Sequence, residues 1–115
     1  MNDYRRAKRR KTSQHIDVLD TMTEQVIGRL SNLSETGMLL ILHHAPVNDG
    51  LYQLRLRLPL ESGEDRTLDV GAHELWSDEA AAPGQVWSGF RFIDLAPGDA
   101  ELIRAWVEAP GSQYV

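Results

Sequence analysis

The strongest regularity in the chain is a period of two. In residues 51–58 (LYQLRLRL), Leu54, Leu56 and Leu58 alternate with Arg55 and Arg57. Successive side chains of a strand point to opposite faces, so this run predicts a strand with one apolar side and one solvated side. Weaker alternations flank it. Residues 14–19 (QHIDVL) put Ile16 and Val18 on one side, residues 87–93 (WSGFRFI) do the same with Phe90 and Phe92, and residues 68–76 supply another strand. Residues 25–34 (QVIGRLSNLS) form a strand that runs out into polar turn chemistry. Residues 38–42 (MLLIL) are apolar throughout, which predicts a strand covered on both faces.

Between these runs lie turn residues. Asn48-Asp49-Gly50 predicts a hairpin turn, residues 61–66 (ESGEDR) a polar turn, and residues 80–84, with Pro83-Gly84, a further connection. Beyond Ala96 the period changes to a helical one, with Leu102, Ile103, Trp106 and Val107 on one stripe. Pro97 and Asp99 suit the start of that helix, and Pro110-Gly111 stops it. Six short strands followed by one amphipathic helix predict a mainly β fold: a six-stranded antiparallel β-barrel with a C-terminal α-helix packed against it. The expected layout is an N-terminal arm over residues 1–13, the barrel over 14–95, the helix over 96–109 and a tail over 110–115.

Composition narrows the classes. A chain of 115 residues, 42% hydrophobic, builds one modest core and one domain. The absence of cysteine excludes a disulfide framework, a thiol nucleophile and a cysteine zinc site. No run of eighteen apolar residues occurs, and no apolar stretch follows the basic N-terminus as in a secretory signal. A cytoplasmic protein without membrane insertion is therefore expected.

The net charge of −5 conceals a division. Residues 1–11 carry Arg5, Arg6, Lys8, Arg9, Arg10 and Lys11 against Asp3, a balance of +5, and the remaining residues sum to −10. A basic arm on an acidic body points to an anionic partner for the arm. With almost nothing apolar to bury, the arm is expected to be flexible.

Two short motifs stand out. Arg6-Ala7-Lys8-Arg9-Arg10 contains an R-x-x-x-R, and Asn32-Leu33-Ser34-Glu35-Thr36-Gly37 is an N-x-S-x-x-G between two predicted strands. Either alone is common. Together, in this order and at the head of a small β-domain that ends in Phe90-Arg91-Phe92 and a helix, they make the chain resemble the PilZ domain family of cyclic di-GMP receptors. The resemblance covers essentially the whole chain.

The physical chemistry of that ligand fits the residues present. Cyclic di-GMP offers two phosphates and two guanines. An arginine fork grips guanine O6 and N7 or a phosphate in bidentate fashion, and its face stacks on a purine. The resemblance implies Arg6 and Arg10 as the motif pair, with Arg5 and Arg9 as the competing register. An arginine directly before the pair, here Arg5, implies two stacked cyclic di-GMP molecules per domain.

Asn32 is expected to meet a guanine N–H edge through its side-chain oxygen, more weakly than the Asp of many relatives. Ser34 is expected to bond a phosphate or the turn itself, and Gly37 to supply a positive φ or a close backbone approach. By resemblance Trp76, near a strand end, stacks on a guanine. Trp87 and Trp106 are read as structural. The implied mechanism is a switch, in which arginines fold across the barrel mouth around the ligand and change the surface shown to an unidentified effector protein. Flagellar, pilus, polysaccharide and chemoreceptor pathways all fall within the resemblance.

Other chemistry finds little support. His43 and His44 point to opposite faces of a strand, and His15 and His73 are isolated, so no metal site is expected. No nucleophile elbow, phosphate loop or paired-carboxylate motif appears. Neither catalysis nor a cofactor is expected. An acidic body disfavours nucleic acid. A protein-interaction module of the same fold without nucleotide, and a nucleic-acid binder using the basic arm, remain as alternatives.

Overall fold

The computed structural model describes residues 7–115. Seven strands and one helix follow in order: β1 (Arg10–Lys11), β2 (Asp17–Asp20), β3 (Gln25–Leu33), β4 (Gly37–Leu42), β5 (Leu51–Pro59), β6 (Asp65–Glu79), β7 (Val86–Asp94) and α1 (Pro97–Glu108). Antiparallel ladders join them as β3-β2-β5-β6-β7-β4, and β4 pairs back onto β3, so six strands close into a barrel. The two-residue β1 extends this ring at the end of β3, with Arg10 opposite Leu33 and Lys11 opposite Asn32.

The period-two pattern of β5 holds as expected. Leu54, Leu56 and Leu58 are buried, while Arg55 and Arg57 are exposed. Ile16 and Val18 also face inward, as do Phe90 and the half-buried Phe92. The rings of Tyr52 and Phe90 meet edge to face, with centroids 5.6 Å apart and planes at 82°, the geometry that aromatic quadrupoles favour. On β4, Met38, Leu40 and Leu42 belong to the core, whereas Leu39 and Ile41 lie outside it on the outer side of the sheet.

Helix α1 begins with Pro97, whose missing N–H costs nothing there and whose φ is already helical. Asp99 sits in the first turn, at the positive end of the helix dipole. Ile103, Trp106 and Val107 are buried against the barrel. The helix stops before Pro110, and Gly111 takes a φ of 84°.

Two expectations need correction. Asn48-Asp49-Gly50 is a turn, since Asp49 has a φ of 62° and the Gly50 N–H donates to the Val47 carbonyl at 3.1 Å. It is not a hairpin turn, because β4 pairs with β3 and β7 while β5 pairs with β2 and β6. The local chemistry is that of a turn, but the connection passes from one side of the barrel to the other.

What anchors it is Glu74, fully buried on β6. Its Oε1 accepts the Asp49 N–H at 2.9 Å and its Oε2 accepts the Ser88 hydroxyl at 3.1 Å. The second correction concerns the arm. The part of it that is described is docked rather than free, through contacts set out below.

Candidate ligand-binding wall

Two β-bulges decide which residues face outward. On β3, Leu30 points into the core, and a strict alternation would send Asn32 after it. The ladder to β4 skips Ser31, so Leu30 lies opposite Leu40 and Asn32 opposite Leu39. On β6, Leu68, Val70, Ala72 and Glu74 all face inward, and alternation would again send Trp76 inside. There the ladder to β7 skips Leu75, placing Glu74 opposite Phe90 and Trp76 opposite Gly89. A bulge reverses the sense of every side chain beyond it. Asn32 and Trp76 are both thereby turned onto the outer wall.

They lie in one transverse row. Lys11 pairs with Asn32, Asn32 with Leu39, Leu39 with Gly89 and Gly89 with Trp76. Residues directly opposite in an antiparallel ladder share a face. At one strand spacing per step, Asn32 and Trp76 are about 14 Å apart along the wall. Trp76 is 47% exposed, and its indole lies across Gly89, where a Cβ would come within 2.3 Å of Nε1. Gly89 is thus the seat on which the ring rests.

Asn32 is only 4% exposed although it faces out, because the arm covers it. Arg9 donates from Nη1 to Asn32 Oδ1 at 3.1 Å. Arg10 turns the other way: its guanidinium lies 4.2 Å from the centre of the Trp106 ring and donates to the Trp106 carbonyl at 2.6 Å. A cation at the C-terminal end of α1 also opposes the helix dipole favourably. Backbone bonds fix the same segment to the C-terminal tail, from Lys11 N–H to Gln113 O at 2.8 Å and from Val115 N–H to Arg9 O at 3.0 Å. Arg10→Ala should lower the unfolding free energy by about 1–2 kcal/mol, the sum of one cation–π contact and one hydrogen bond. Urea denaturation measures it, and an unchanged midpoint would mean the contact carries no weight.

The turn after Asn32 is closed by its own residues. The Ser34 hydroxyl accepts the N–H groups of Thr36 and Gly37, each at 3.2 Å, and the Ser34 N–H donates to the Gly37 carbonyl at 2.9 Å. Ser34 is fully buried, so of its two expected roles the structure displays the bond to the turn. Gly37 similarly realises the second of its alternatives. It is not among the glycines of positive φ, and a Cβ there would stand 2.1 Å from the Phe90 carbonyl oxygen. Glu35 at the turn pairs with Arg104 of α1 at 3.3 Å, tying the motif to the helix.

Of the expected site residues, Arg9, Asn32 and Trp76 thus belong to one wall, with Ser34 and Gly37 shaping its edge. Arg10 points to α1, and Arg5 and Arg6 lie outside the described residues. The wall is open and is not a cavity. Grooves of about 410 and 430 Å³ lie elsewhere, one where β2 and β5 share only two residue pairs and one between Arg10, the β5–β6 turn and α1. Among the described residues no group of three or more metal-ligating side chains gathers, and no helix is long and apolar enough to cross a membrane.

The result is a closed antiparallel barrel capped by a terminal helix, with its polar and aromatic candidates on the outer wall. The chain belongs to the PilZ domain family, whose model matches residues 3–109. In this family the domains are effectors and adaptors of cyclic di-GMP rather than enzymes.

Similar solved structures include the Bacillus subtilis inhibitor of motility (MotI/DgrA), at 19% identity and a TM-score of 0.72 over 89% of this chain and 48% of that one. The PilZ domain of YcgR from Escherichia coli, solved with c-di-GMP, matches at 16% identity and a TM-score of 0.66 over 89% and 87%. YcgR from Escherichia coli in complex with c-di-GMP matches at 17% and 0.68 over 91% and 45%. At these identities the likeness is one of fold. The chain spans about half the length of the inhibitor and of the larger YcgR structure. No curated protein matches it by sequence.

Proposed function

We propose that this domain is a cyclic di-GMP receptor that binds the nucleotide on its outer wall and signals through a partner protein. The observation that carries the reading is the double bulge, which brings Asn32 and Trp76 onto one row beside Arg9. Asn32 offers an acceptor for a guanine N–H edge and Trp76 a flat face for stacking. The arm supplies the cations: Arg6 and Arg10 as the motif pair, Arg5 before them, and Arg9 at the covered acceptor. Ser34 and Gly37 hold the turn at the edge of the row.

Without ligand, Asn32 and Arg10 of the recognition set are engaged internally, while Trp76 stays exposed. Arg9 covers Asn32, and Arg10 rests on Trp106. The cyclic dinucleotide exchanges these contacts for stronger ones to phosphate and guanine. β1 has two residues, so undoing it costs little. Freed from Arg10, the end of α1 and the tail shift, and the surface offered to the partner changes. On this reading the domain acts in the cytoplasm.

Isothermal titration of the full chain with cyclic di-GMP tests the reading. Binding is expected with two molecules per domain, and Arg10→Ala or Asn32→Ala should weaken it at least tenfold, about 1.4 kcal/mol. Hydrogen exchange in the last turn of α1 should rise on binding. If the wild-type protein gives no heat at micromolar ligand, the receptor reading falls. The internally satisfied Arg9, Arg10 and Asn32 would then favour a protein-interaction module of the same fold.

A further inference from the structure

We infer that Arg91 is a further ligand-contacting residue, placed to hold a phosphate of the nucleotide; the inference rests on the wall being the cyclic di-GMP site. Arg91 lies on β7 directly opposite Gly37 of β4 and His73 of β6. Phe90 and Phe92, its neighbours, turn toward the core, so Arg91 faces out with Gly89. It stands two residues from Gly89 on the same face, about 7 Å along the strand. An extended arginine reaches that far, so its guanidinium has access to the ground between Trp76 and Asn32.

Three observations bear on Arg91, the first of which sets it apart from Arg55 and Arg104 but is shared with Arg29, Arg57 and Arg66. Arg55 is paired with Asp69 at 2.7 Å and Arg104 with Glu35 at 3.3 Å, whereas Arg91 makes no hydrogen bond or ion pair among the described residues. It is fixed in place, because the Phe92 N–H donates to the Thr36 carbonyl at 2.9 Å and so binds β7 to the N-x-S-x-x-G turn. The approach is clear on the β4 side, where the residue across from it is Gly37, which puts no side chain in the way; on the β6 side stands His73, paired with Asp49. The one acid of the turn, Glu35, is engaged by Arg104.

Its place beside the row, two residues from Gly89, assigns the chemistry. Asn32 on β3 and Trp76 on β6 stand at the two flanks and suit guanine, one by its edge acceptor and one by stacking. Arg91 is on β7, with β4 one of the two middle strands of that row. A ligand whose bases lie at the flanks sets its sugar-phosphate ring over the middle, and an unpaired guanidinium there meets an anionic oxygen.

The test is titration of the full chain and of Arg91→Ala and Arg91→Lys with cyclic di-GMP, alongside thermal unfolding. Arg91→Ala is expected to raise Kd about tenfold with an unchanged melting curve, since the side chain is exposed and makes no hydrogen bond or ion pair among the described residues. Arg91→Lys should recover much of the loss, because a point charge still attracts phosphate but cannot fork onto a guanine edge. The phosphorus resonance of the bound ligand should move in both variants.

Wild-type binding together with an Arg91→Ala Kd within twofold of it would overturn the role of Arg91 alone. Equal losses in both variants would overturn the phosphate assignment. No wild-type binding would bring down the receptor reading itself, and this inference with it.

Discussion

Truncating Phe90 to alanine should lower the unfolding free energy by about 3–5 kcal/mol, the range for a large aromatic removed from a packed core. Phe90 is 2% exposed, packs against Tyr52 and lies between the two outward-facing residues Gly89 and Arg91. The loss would appear as a lower urea midpoint with the same slope. Because its backbone also lies beneath Gly37, a cavity at this point loosens the strand that seats Trp76 and carries Arg91. Ligand affinity should therefore fall with stability. A shift below about 1 kcal/mol, the scale of a surface change, would contradict the central place given to Phe90.

Gly37→Ala should cost about 3 kcal/mol, the upper end of ordinary overpacking, and nearly all ligand binding. The reason is space and not backbone freedom. A Cβ would meet the Phe90 oxygen at 2.1 Å, and backbone cannot swing aside as a flexible side chain does. The β4–β7 ladder must open at Gly37 and Arg91, where the motif turn joins the wall. Gly63 makes the contrast: its φ is 93°, yet nothing stands within 4 Å of its missing Cβ. Gly63→Ala meets only conformational strain, about 1 kcal/mol. Equal urea midpoints for Gly37→Ala and wild type would refute the close-approach argument.

The parts of this fold that were legible in the sequence are those whose cause is local. Leu54, Leu56 and Leu58 alternate with arginines because one face of β5 is wet, and the helix announces itself through Pro97, its stripe and Pro110-Gly111. β6 was only partly legible. Its ends, Asp65–Thr67 and Ser77–Glu79, are polar, and they are strand because neighbouring strands pair with them.

The candidate site shows the same division. The motifs Arg6–Arg10 and Asn32–Gly37 could be read directly, but the side on which Asn32 and Trp76 emerge could not. Counting by twos from Leu30 or Leu68 buries both, and only the skipped Ser31 and Leu75 bring them out. Partners distant in sequence were equally hidden: nothing near Arg10 signals Trp106, ninety-six residues on. Glu74 was missed because an acid in an apolar alternation looks like a break in it. Its hydrogen bonds to Asp49 and Ser88 make it an internal fastening. Arg91 was passed over as one letter of an aromatic strand, and its significance emerges from register.

The arm and the tail run side by side, with Arg10 bridged to Tyr114. Entry to the domain and exit from it therefore lie within about one strand spacing, roughly 5 Å. On the proposed reading, a body tethered at either point would be steered by the arm that meets the nucleotide and by the tail bonded to it. Under the proposed switch the domain would work as a coupling, in which a small loosening at the join becomes a change of angle between whatever is attached on the two sides. A donor and acceptor dye placed at Ala7 and Ser112 would register that motion as distance, with no partner protein present.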